Sequence, residues 1–314
     1  MPINTLAYAT IFQQQLDKAA TFDALTGWME ANAGQVVYNG GNEVKIPKMS
    51  LQGMGDYDRD DGYVQGSVTL SYETRTMTQD RGRKFQLDAM DVNETNFVAT
   101  AGAVMGEFQR LFVVPEIDAY RLSALAKAAI DANTQSTTGL VETGYTPAKA
   151  TALEKLKAGI AAIRDYGFNG PIVCHSTSTF KMQLELALAA QLRESTWNRG
   201  GIDTQVPMLD GVPIIETPQD RMYTAITLYD GVTQGGSGAA DQRVGGYVKG
   251  ASASDINFML VAQTTPIAVS KQDVMRIFDP MTNQKANAWA MDYRRYHDLW
   301  VKDNAVKSIF VNTK

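Results

Sequence analysis

Few residues in this chain are of the types that usually carry out chemistry. The 314 residues include one cysteine, Cys174, and two histidines, His175 and His297. Adjacent residues of a strand point to opposite faces, so Cys174 and His175 cannot form a nucleophile–base pair by that geometry. A buried cysteine at a strand end, followed by a helix-capping region, is the favoured interpretation. His297 stands among aromatic residues at strand spacing, which favours a packed, hydrogen-bonded histidine over a general base.

An acidic, glycine-rich stretch is the one candidate for a metal site. Asp56, Asp58 and Asp60 have the spacing of positions 1, 3 and 5 of a calcium-binding loop. The pattern then fails, because position 6 is Asp61 instead of glycine and position 12 is Ser67 instead of glutamate. No flanking helices are predicted. A solvated or partner-docked loop is therefore favoured over specific calcium binding.

Two further motifs predict packing or loops instead of chemistry. The glycine-rich segment Gly231–Asp241 lacks the order of a phosphate-binding loop and its following lysine. Aromatic and arginine residues cluster over Trp289–Trp300 and could stack nucleic-acid bases, but their strand periodicity favours core and interface packing. Since no nucleophile, base and orienting group occur at an interpretable spacing, the sequence predicts no catalytic residue, no cofactor and no metal site.

The composition excludes several classes of protein. Hydrophobic residues make up 44% and charged residues 20% of the chain, as in an ordinary globular protein. The 29 basic and 34 acidic residues give a net charge of -5, which argues against a protein whose main activity is to bind a phosphate backbone. A single cysteine excludes an internal disulfide framework and is typical of a reducing interior. No apolar run is long enough for a membrane span, and Met1–Thr5 does not begin a secretory signal.

The apolar spacing predicts the elements that hold these residues. The polar, Gln-rich start of the chain, to about Asn32, is expected to order only against a partner. Val44, Ile46 and Met49 alternate with polar residues, and so do the residues of Ser67–Thr74, which predicts a long hairpin over about 36–80 with a charged tip. Pro47 indicates an edge strand or a strand end. Because an isolated hairpin is marginally stable, this one requires a partner surface.

A long helical rod follows the hairpin. Asn93 is its predicted cap, Pro115 is expected to end or kink it near Val113, and a second helix should run from about Glu116 to Asp131. The first helix is predicted from one apolar face, made of Phe97, Ala101, Val104, Phe108 and Leu111.

Helices and strands alternate over about 145–265, which predicts a compact α/β unit. Its first helix should begin at Thr146-Pro147 and stop at Gly167. Apolar runs at 171–174, 212–215 and 256–262 predict strands. Another amphipathic helix is predicted from the spacing of Phe180, Leu184, Leu188 and Leu192. The last fifty residues return to β character and are expected to pack on the rod and the hairpin.

The order of these elements resembles the major capsid proteins of tailed bacteriophages, in particular the siphovirus-type group from Gram-positive hosts. The resemblance covers nearly the whole chain. The pieces that carry it are Val44–Pro47, Gly53–Arg59, Asp80-Arg81 with Phe85 and Asp88, Pro115–Arg121, Ile277–Pro280 and Asp292–Asp298.

The resemblance implies an α+β fold with four parts. These are an N-terminal arm (1–33), an extended hairpin loop (34–82), a peripheral domain with the spine helix (83–139 and 266–314) and an inserted α/β axial domain (140–265). It also implies two contact regions between subunits. One is the hairpin tip, with Asp56, Tyr57, Asp58, Arg59, Asp60 and Asp61, and the other is an axial loop with Gly235, Gly236 and Gly238.

The implied function is self-assembly, as pentamers and hexamers, into an icosahedral virion head that encloses double-stranded DNA without sequence-specific binding. Assembly would take place in the host cytoplasm, with a portal and a separate scaffolding protein as partners and without a membrane. No lysine occurs in Gly53–Gly66, so cross-linking through a lysine at the tip is not expected. A bacterial nanocompartment shell of the same fold and a soluble hydrolase built on the α/β unit stay open as alternatives.

Overall fold

The computed structural model describes ten stretches of the chain. They are residues 24–35, 37–38, 43–60, 62–90, 101–135, 139–188, 193–198, 203–236, 240–283 and 285–314. Most of the predicted arm, the predicted cap Asn93 and the start of the predicted rod helix lie outside the described residues.

Helices and strands are mixed along the described chain. The strands are β1 (Val37–Tyr38), β2 (Glu43–Leu51), β3 (Val68–Thr76), β4 (Gln79–Asp88), β5 (Val141–Glu142), β6 (Ile172–Ser176), β7 (Arg193–Asn198), β8 (Asp203–Leu209), β9 (Val212–Glu216), β10 (Ile226–Leu228), β11 (Tyr247–Lys249), β12 (Ile256–Ala262), β13 (Pro266–Phe278), β14 (Ala288–Val301) and β15 (Ile309–Thr313). The α-helices are α1 (Ala101–Phe108), α2 (Val114–Gln135), α3 (Ala152–Asp165) and α4 (Ser178–Leu188). Short 3-10 helices span Gly27–Gln35, Gln219–Arg221 and Val306–Ser308.

A mixed sheet with helices on both faces forms the centre of the molecule. Its strand order is β5-β15-β12-β6-β9-β8-β7. The pairs β5–β15 and β6–β9 are parallel, and the other pairs are antiparallel. All residues of β6 and β12 are buried, as expected for strands covered on both faces.

The two faces of this sheet pack against different helices. Leu156 of α3 and Phe180 of α4 share one cluster with Ile172 and Cys174 of β6, whereas Val173 packs with α2 on the other face. Successive side chains of a strand alternate between faces. The prediction that Cys174 and His175 point to opposite faces is therefore confirmed.

A second sheet, in the order β13-β14-β4, packs against the rod. The side chains of Met275, Met291 and Tyr293 form a small core with Met105 of α1, and Phe85 and Phe108 pack against it. Strands β13 and β14 are long, with 13 and 14 residues, and supply most of the β character predicted for the last fifty residues.

The rod is interrupted near Val113, as predicted, but it does not end there. A π-helical turn over Gln109–Val113 joins α1 to α2, and α2 continues to Gln135. Proline has no amide N–H to donate to the preceding turn. The wider π-helical turn directly before the proline lets the helix continue although this hydrogen bond is missing.

Three other expectations are corrected. Helix α3 begins at Ala152 instead of Pro147, because a turn intervenes in which Thr151 and Ala152 both donate to the Ala148 carbonyl. Met49 is 61% exposed although it continues the apolar alternation. The segment Gly27–Gln35, just before β1, is ordered against its own chain and does not require a partner, since Trp28 and Met29 are buried in the central core.

Strand β15 lies in the central sheet beside β12, although the sequence analysis grouped it with the C-terminal β segment. The division into axial and peripheral domains remains a prediction. In the part of the chain that the structure describes, no helix has the length and apolar character required to cross a bilayer.

Candidate interaction surfaces

Strands β2 and β3 form a hairpin whose buried residues lie at its base. Val44 and Ile46 are buried against Met77, Tyr296 and Trp300. Beyond this base, both strands are largely exposed. The hairpin therefore projects from the body of the subunit.

Strand β2 is an edge strand over much of the projecting part. Its pairing with β1 extends only over Val44 and Lys45, and Pro47 lies beyond that pairing. On the side of β2 that faces away from β3, the missing N–H of Pro47 therefore interrupts no hydrogen bonds between described strands. This agrees with the prediction that Pro47 marks an edge strand.

One face of the projecting hairpin is apolar. Residues that lie directly opposite each other in an antiparallel pair share a face, and every second residue of a strand returns to it. The register therefore assembles one continuous apolar ribbon, which consists of Pro47, Met49, Leu51, Val68, Leu70 and Tyr72. Its five large side chains, from Met49 to Tyr72, are between 54% and 66% exposed. The opposite face carries Lys48, Ser50, Thr69 and Ser71.

The hairpin tip is a tight acidic turn. The Asp58 and Gly62 backbones pair with each other, Gly62 has φ 81°, and the Asp58 carboxylate accepts the Asp60 N–H at 2.7 Å. The rings of Tyr57 and Tyr63 meet edge to face at 4.9 Å. Of the predicted tip contacts, the five from Asp56 to Asp60 are exposed, and Asp61 lies outside the described residues.

The tip acids were also the candidate calcium ligands. Within the described ranges, no three acidic, histidine or cysteine side chains converge as a metal site would require. The tip is therefore characterised by exposed and mainly acidic side chains.

The predicted axial loop lies between β10 and β11, which pair antiparallel at its base. Gly235 is partly exposed and Gly236 is exposed, whereas Gly238 falls outside the described residues. Gly231, Gly245 and Gly246, near the two ends of the loop, have φ between 69° and 78°, a conformation that favours glycine.

Arg81 of β4 holds the two ends of this loop. Its guanidinium donates to the carbonyl oxygens of Tyr229 at 2.7 Å and Gly246 at 3.3 Å. The same group pairs with the Glu116 carboxylate of α2. Arg81 and Glu116 lie in separate segments of the sequence, and no local pattern predicts their pairing.

Cys174 and His175 serve separate packing roles. Burial raises the pKa of the Cys174 thiol, so the reactive thiolate is disfavoured. The Trp28 indole N–H donates to His175 Nε2 at 3.3 Å, and His175 Nδ1 lies 3.2 Å from Thr217 Oγ1. Because indole nitrogen is only a donor, Nε2 must accept and the proton of the neutral ring is on Nδ1. This histidine fastens the N-terminal segment to the central sheet.

His297 is buried on the face of β14 that carries Tyr293 and Arg295. Burial lowers the pKa of His297 well below its ordinary value, and the charges of Arg295, Arg121 and Arg81 lower it further. Its ring meets the Tyr120 ring edge to face at 5.7 Å. The expected packing is confirmed. The expected hydrogen bond is not found at Nδ1, which is buried and has no hydrogen-bonding partner in the described part of the chain.

A charge network around the buried Asp118 and Arg121, which no local sequence pattern predicts, fixes the 3-10 helix Gly27–Gln35. The buried Asp118 carboxylate accepts the N–H groups of Leu25 and Thr26, each at 3.0 Å, and also binds Arg221. It thereby holds the two residues that lead into the 3-10 helix from a distant part of the chain.

Two arginines complete this network on Glu30. The Glu30 carboxylate pairs with Arg121, and with Arg295 at 3.0 Å. Burial acts to raise the pKa of Glu30, but the two guanidiniums outweigh it and hold the pKa below its usual value.

Neither a family model nor a curated protein matches the sequence. Solved structures do match the fold. The capsid of the cyanophage P-SCSP1u aligns with a TM-score of 0.57 at 12% identity, over 87% of this chain and 83% of that one. The mature capsid of bacteriophage PhiM1 aligns with a TM-score of 0.55 at 13% identity, over 88% and 83% of the two chains.

A third similar structure has another origin. The virus-like particle from Pyrococcus furiosus aligns with a TM-score of 0.50 at 10% identity, over 95% of this chain and 98% of that one. Structures from phages of Mycobacterium and Gordonia each align over 87% of this chain. The chain therefore has the fold of tailed-phage capsid proteins.

Proposed function

We propose that this chain is a major capsid protein, which self-assembles as pentamers and hexamers into an icosahedral phage head around double-stranded DNA. The observation that carries the proposal is the apolar ribbon. A projecting hairpin with a continuous exposed apolar face is stable only where that face is covered. A neighbouring copy is the partner that a self-assembling protein provides.

The fold supports the same conclusion, because the similar structures include phage capsids. This function would give a role to each of the two predicted contact regions. The tip residues Asp56–Asp61 would dock on an adjacent subunit at the end of the ribbon, and the loop with Gly235, Gly236 and Gly238 would meet its copies at the symmetry axes. Residues 140–265 would form the axial domain, and 83–139 with 266–314 the peripheral one.

The remaining partners follow from this role. The net charge of -5 suits a container that must hold and release DNA without binding it tightly. A portal and a separate scaffolding protein would complete the head, and assembly would take place in the host cytoplasm. The protein would have no enzymatic activity. A Gram-positive host remains a prediction.

A second candidate is a shell of the same fold that encloses an enzyme. The likeness to the virus-like particle from Pyrococcus furiosus, over nearly the full length of both chains, favours it. The contents of purified shells separate the two, since a phage head holds DNA and a nanocompartment holds protein.

Replacing Met49, Leu51, Leu70 and Tyr72 with serine tests the proposal. The buried base at Val44 and Ile46 is untouched, so the subunit should remain folded by circular dichroism while closed shells disappear from velocity sedimentation. Ser50→Ala with Thr69→Ser changes the opposite face of the same hairpin and should leave assembly intact. Shells of normal size and yield from the serine variant would contradict the proposal.

A further inference from the structure

A lysine, a glutamate and an asparagine meet at the β5 edge of the central sheet. The Glu142 carboxylate of β5 pairs through Oε1 with Nζ of Lys155, which lies on helix α3. Its other oxygen, Oε2, accepts a hydrogen bond from Nδ2 of Asn312, on strand β15, at 2.9 Å. One carboxylate therefore holds an amine and a carboxamide beside each other.

The fold determines that these side chains face each other. Asn312 lies opposite Glu142 in the parallel pair of β15 and β5, so both side chains project from the same face of the sheet. Two positions earlier on β15, Phe310 packs in one cluster with Leu156 of α3. Because alternate residues of a strand share a face, Asn312 also faces α3, the helix that carries Lys155.

The carboxamide of Asn312 is buried and held at both of its polar atoms. Asn312 is fully buried, and the neighbouring Asn257 of β12 is 3% exposed. Asn257 Nδ2 donates to Asn312 Oδ1 at 2.8 Å and to the Tyr145 carbonyl oxygen at 2.7 Å. A donor placed on a carbonyl oxygen stabilises the negative charge that develops there when a nucleophile adds to the carbonyl carbon.

These side chains are the set that amide formation requires. Lys155 supplies a nucleophile, and Glu142 can transfer protons. Asn312 supplies a carbonyl carbon with a nitrogen leaving group, and Asn257 supplies the oxyanion donor. The hydrogen-bonded carboxylate keeps the reacting groups together, which removes most of the entropic cost of their encounter.

We propose that Lys155 and Asn312 become joined by an isopeptide bond within one subunit, with Glu142 as the catalytic proton-transfer group. Glu142 takes a proton from the Lys155 ammonium, and the neutral amine attacks Cγ of Asn312. The Nζ–Cγ bond forms as the carbonyl electron pair moves to Oδ1, beside the N–H of Asn257. Glu142 then delivers its proton to Nδ2 and takes the second proton from Nζ. The carbonyl re-forms, the Cγ–Nδ2 bond breaks and ammonia leaves.

This reaction needs no oxidant and no co-reactant, and the inference does not depend on the proposed function. The hydrogen bond and the charge of Glu142 raise the pKa of Lys155, with smaller contributions from Glu154 and Tyr145. The lysine is therefore an ammonium before the reaction, and the bond should form slowly after folding. It would fasten β15 to α3 and close a covalent ring that includes β6, β9 and β12.

Mass spectrometry of the full chain tests this bond after folding and prolonged incubation. Bond formation makes the intact chain lighter by one molecule of ammonia. A succinimide at an asparagine causes the same loss, but trypsin distinguishes the two, because it does not cleave after a lysine whose amine is acylated. The isopeptide bond should join 150–157 and 308–314 into one branched peptide.

Three variants separate the roles of the side chains. Lys155→Arg keeps a positive charge beside Glu142 but removes the amine, and Glu142→Gln keeps the shape but removes the proton-transfer group. Lys181→Arg is the matched control, because Lys181 pairs with Glu216 at 2.7 Å and Ser178, instead of an asparagine, also binds that carboxylate.

The wild type and Lys181→Arg should yield the branched peptide, and Lys155→Arg should yield none. Since general acid–base catalysis contributes about 10²–10⁴-fold, Glu142→Gln should slow its formation about a hundredfold or more. A folded wild type without the branched peptide would overturn the proposal, and so would equally fast formation in Glu142→Gln. If Glu142→Gln fails to fold, Glu142→Asp replaces it and should also slow the reaction, since the shorter side chain withdraws the carboxylate from both nitrogen atoms.

Discussion

Arg81 and Glu116 form a two-pronged ion pair that joins strand β4 to the start of helix α2. Arg81 Nε lies 2.7 Å from Glu116 Oε1, and Arg81 Nη2 lies 3.2 Å from Oε2. The remaining N–H groups of the guanidinium reach the carbonyls of Tyr229 and Gly246. One side chain thus connects the second sheet, the rod and both ends of the axial loop.

Arg81→Lys should loosen the axial loop. Lysine keeps the charge but cannot hold a carboxylate and two carbonyls in one plane. We expect a loss of about 1–2 kcal/mol in the free energy of unfolding, together with faster amide exchange over 229–236 and 240–246. Arg243→Gln is the control, because Arg243 pairs with Asp241 inside the loop and is largely exposed. Unchanged loop exchange in the Arg81 variant would show that the clamp does not fix the loop.

The pairing of Glu30 makes stability fall in acid. Its folded-state pKa is depressed by Arg121 and Arg295, so its contribution is present above the usual glutamate pKa of about 4.3. That contribution is lost as the pH falls through the depressed folded-state value. Glu30→Gln should therefore be less stable than the wild type at neutral pH, and the difference should shrink as the pH falls.

Urea unfolding from about pH 6 to about pH 3 measures this convergence. Glu107→Gln is the matched control, since Glu107 forms an exposed pair with Arg110 that contributes little to stability. A constant gap between the wild type and Glu30→Gln across the range would contradict the assignment.

The bond between Trp28 and His175 should be a measurable part of the core. His175→Phe removes the acceptor of the buried indole N–H, which should lower the free energy of unfolding by about 1–3 kcal/mol. Trp28→Phe removes the donor. If the two side chains interact as the structure has them, the double variant should lose less than the sum of the single losses. Additive losses would mean that the hydrogen bond contributes nothing.

The hairpin tip should be needed for assembly and not for folding. Leu51 pairs with Val68, so replacing residues 52–67 with Asn-Gly closes a shortened hairpin with a favoured two-residue turn. The variant should unfold at nearly the wild-type urea concentration and yield no closed shells by velocity sedimentation. If this variant forms shells like those of the wild type, the tip is not part of the contacts between subunits.

The sequence predicts local periodicity well. The alternation through Cys174 and His175 and the apolar face of α4 reappear in the structure, and so does the order of the described elements that resembles phage capsid proteins. These features depend on residues a few positions apart, where the apolar pattern directly reports burial.

The sequence does not predict the contacts that join distant segments. Arg81 meets Glu116 across 35 residues and Trp28 meets His175 across 147, and no local pattern marks either pair. Pro115 predicts an interruption of the rod near Val113, but no local pattern shows that it takes the form of a π-helical turn. Met49 fits the apolar pattern but covers no core, since the hairpin has left the body of the subunit at that point.

Electron microscopy of the purified, negatively stained full chain tests the central claim most directly. The proposed function predicts uniform closed shells, or rings of five and six subunits where closure is incomplete. A sample that contains only particles of monomer or small-oligomer size, across conditions in which the chain is folded, would contradict it.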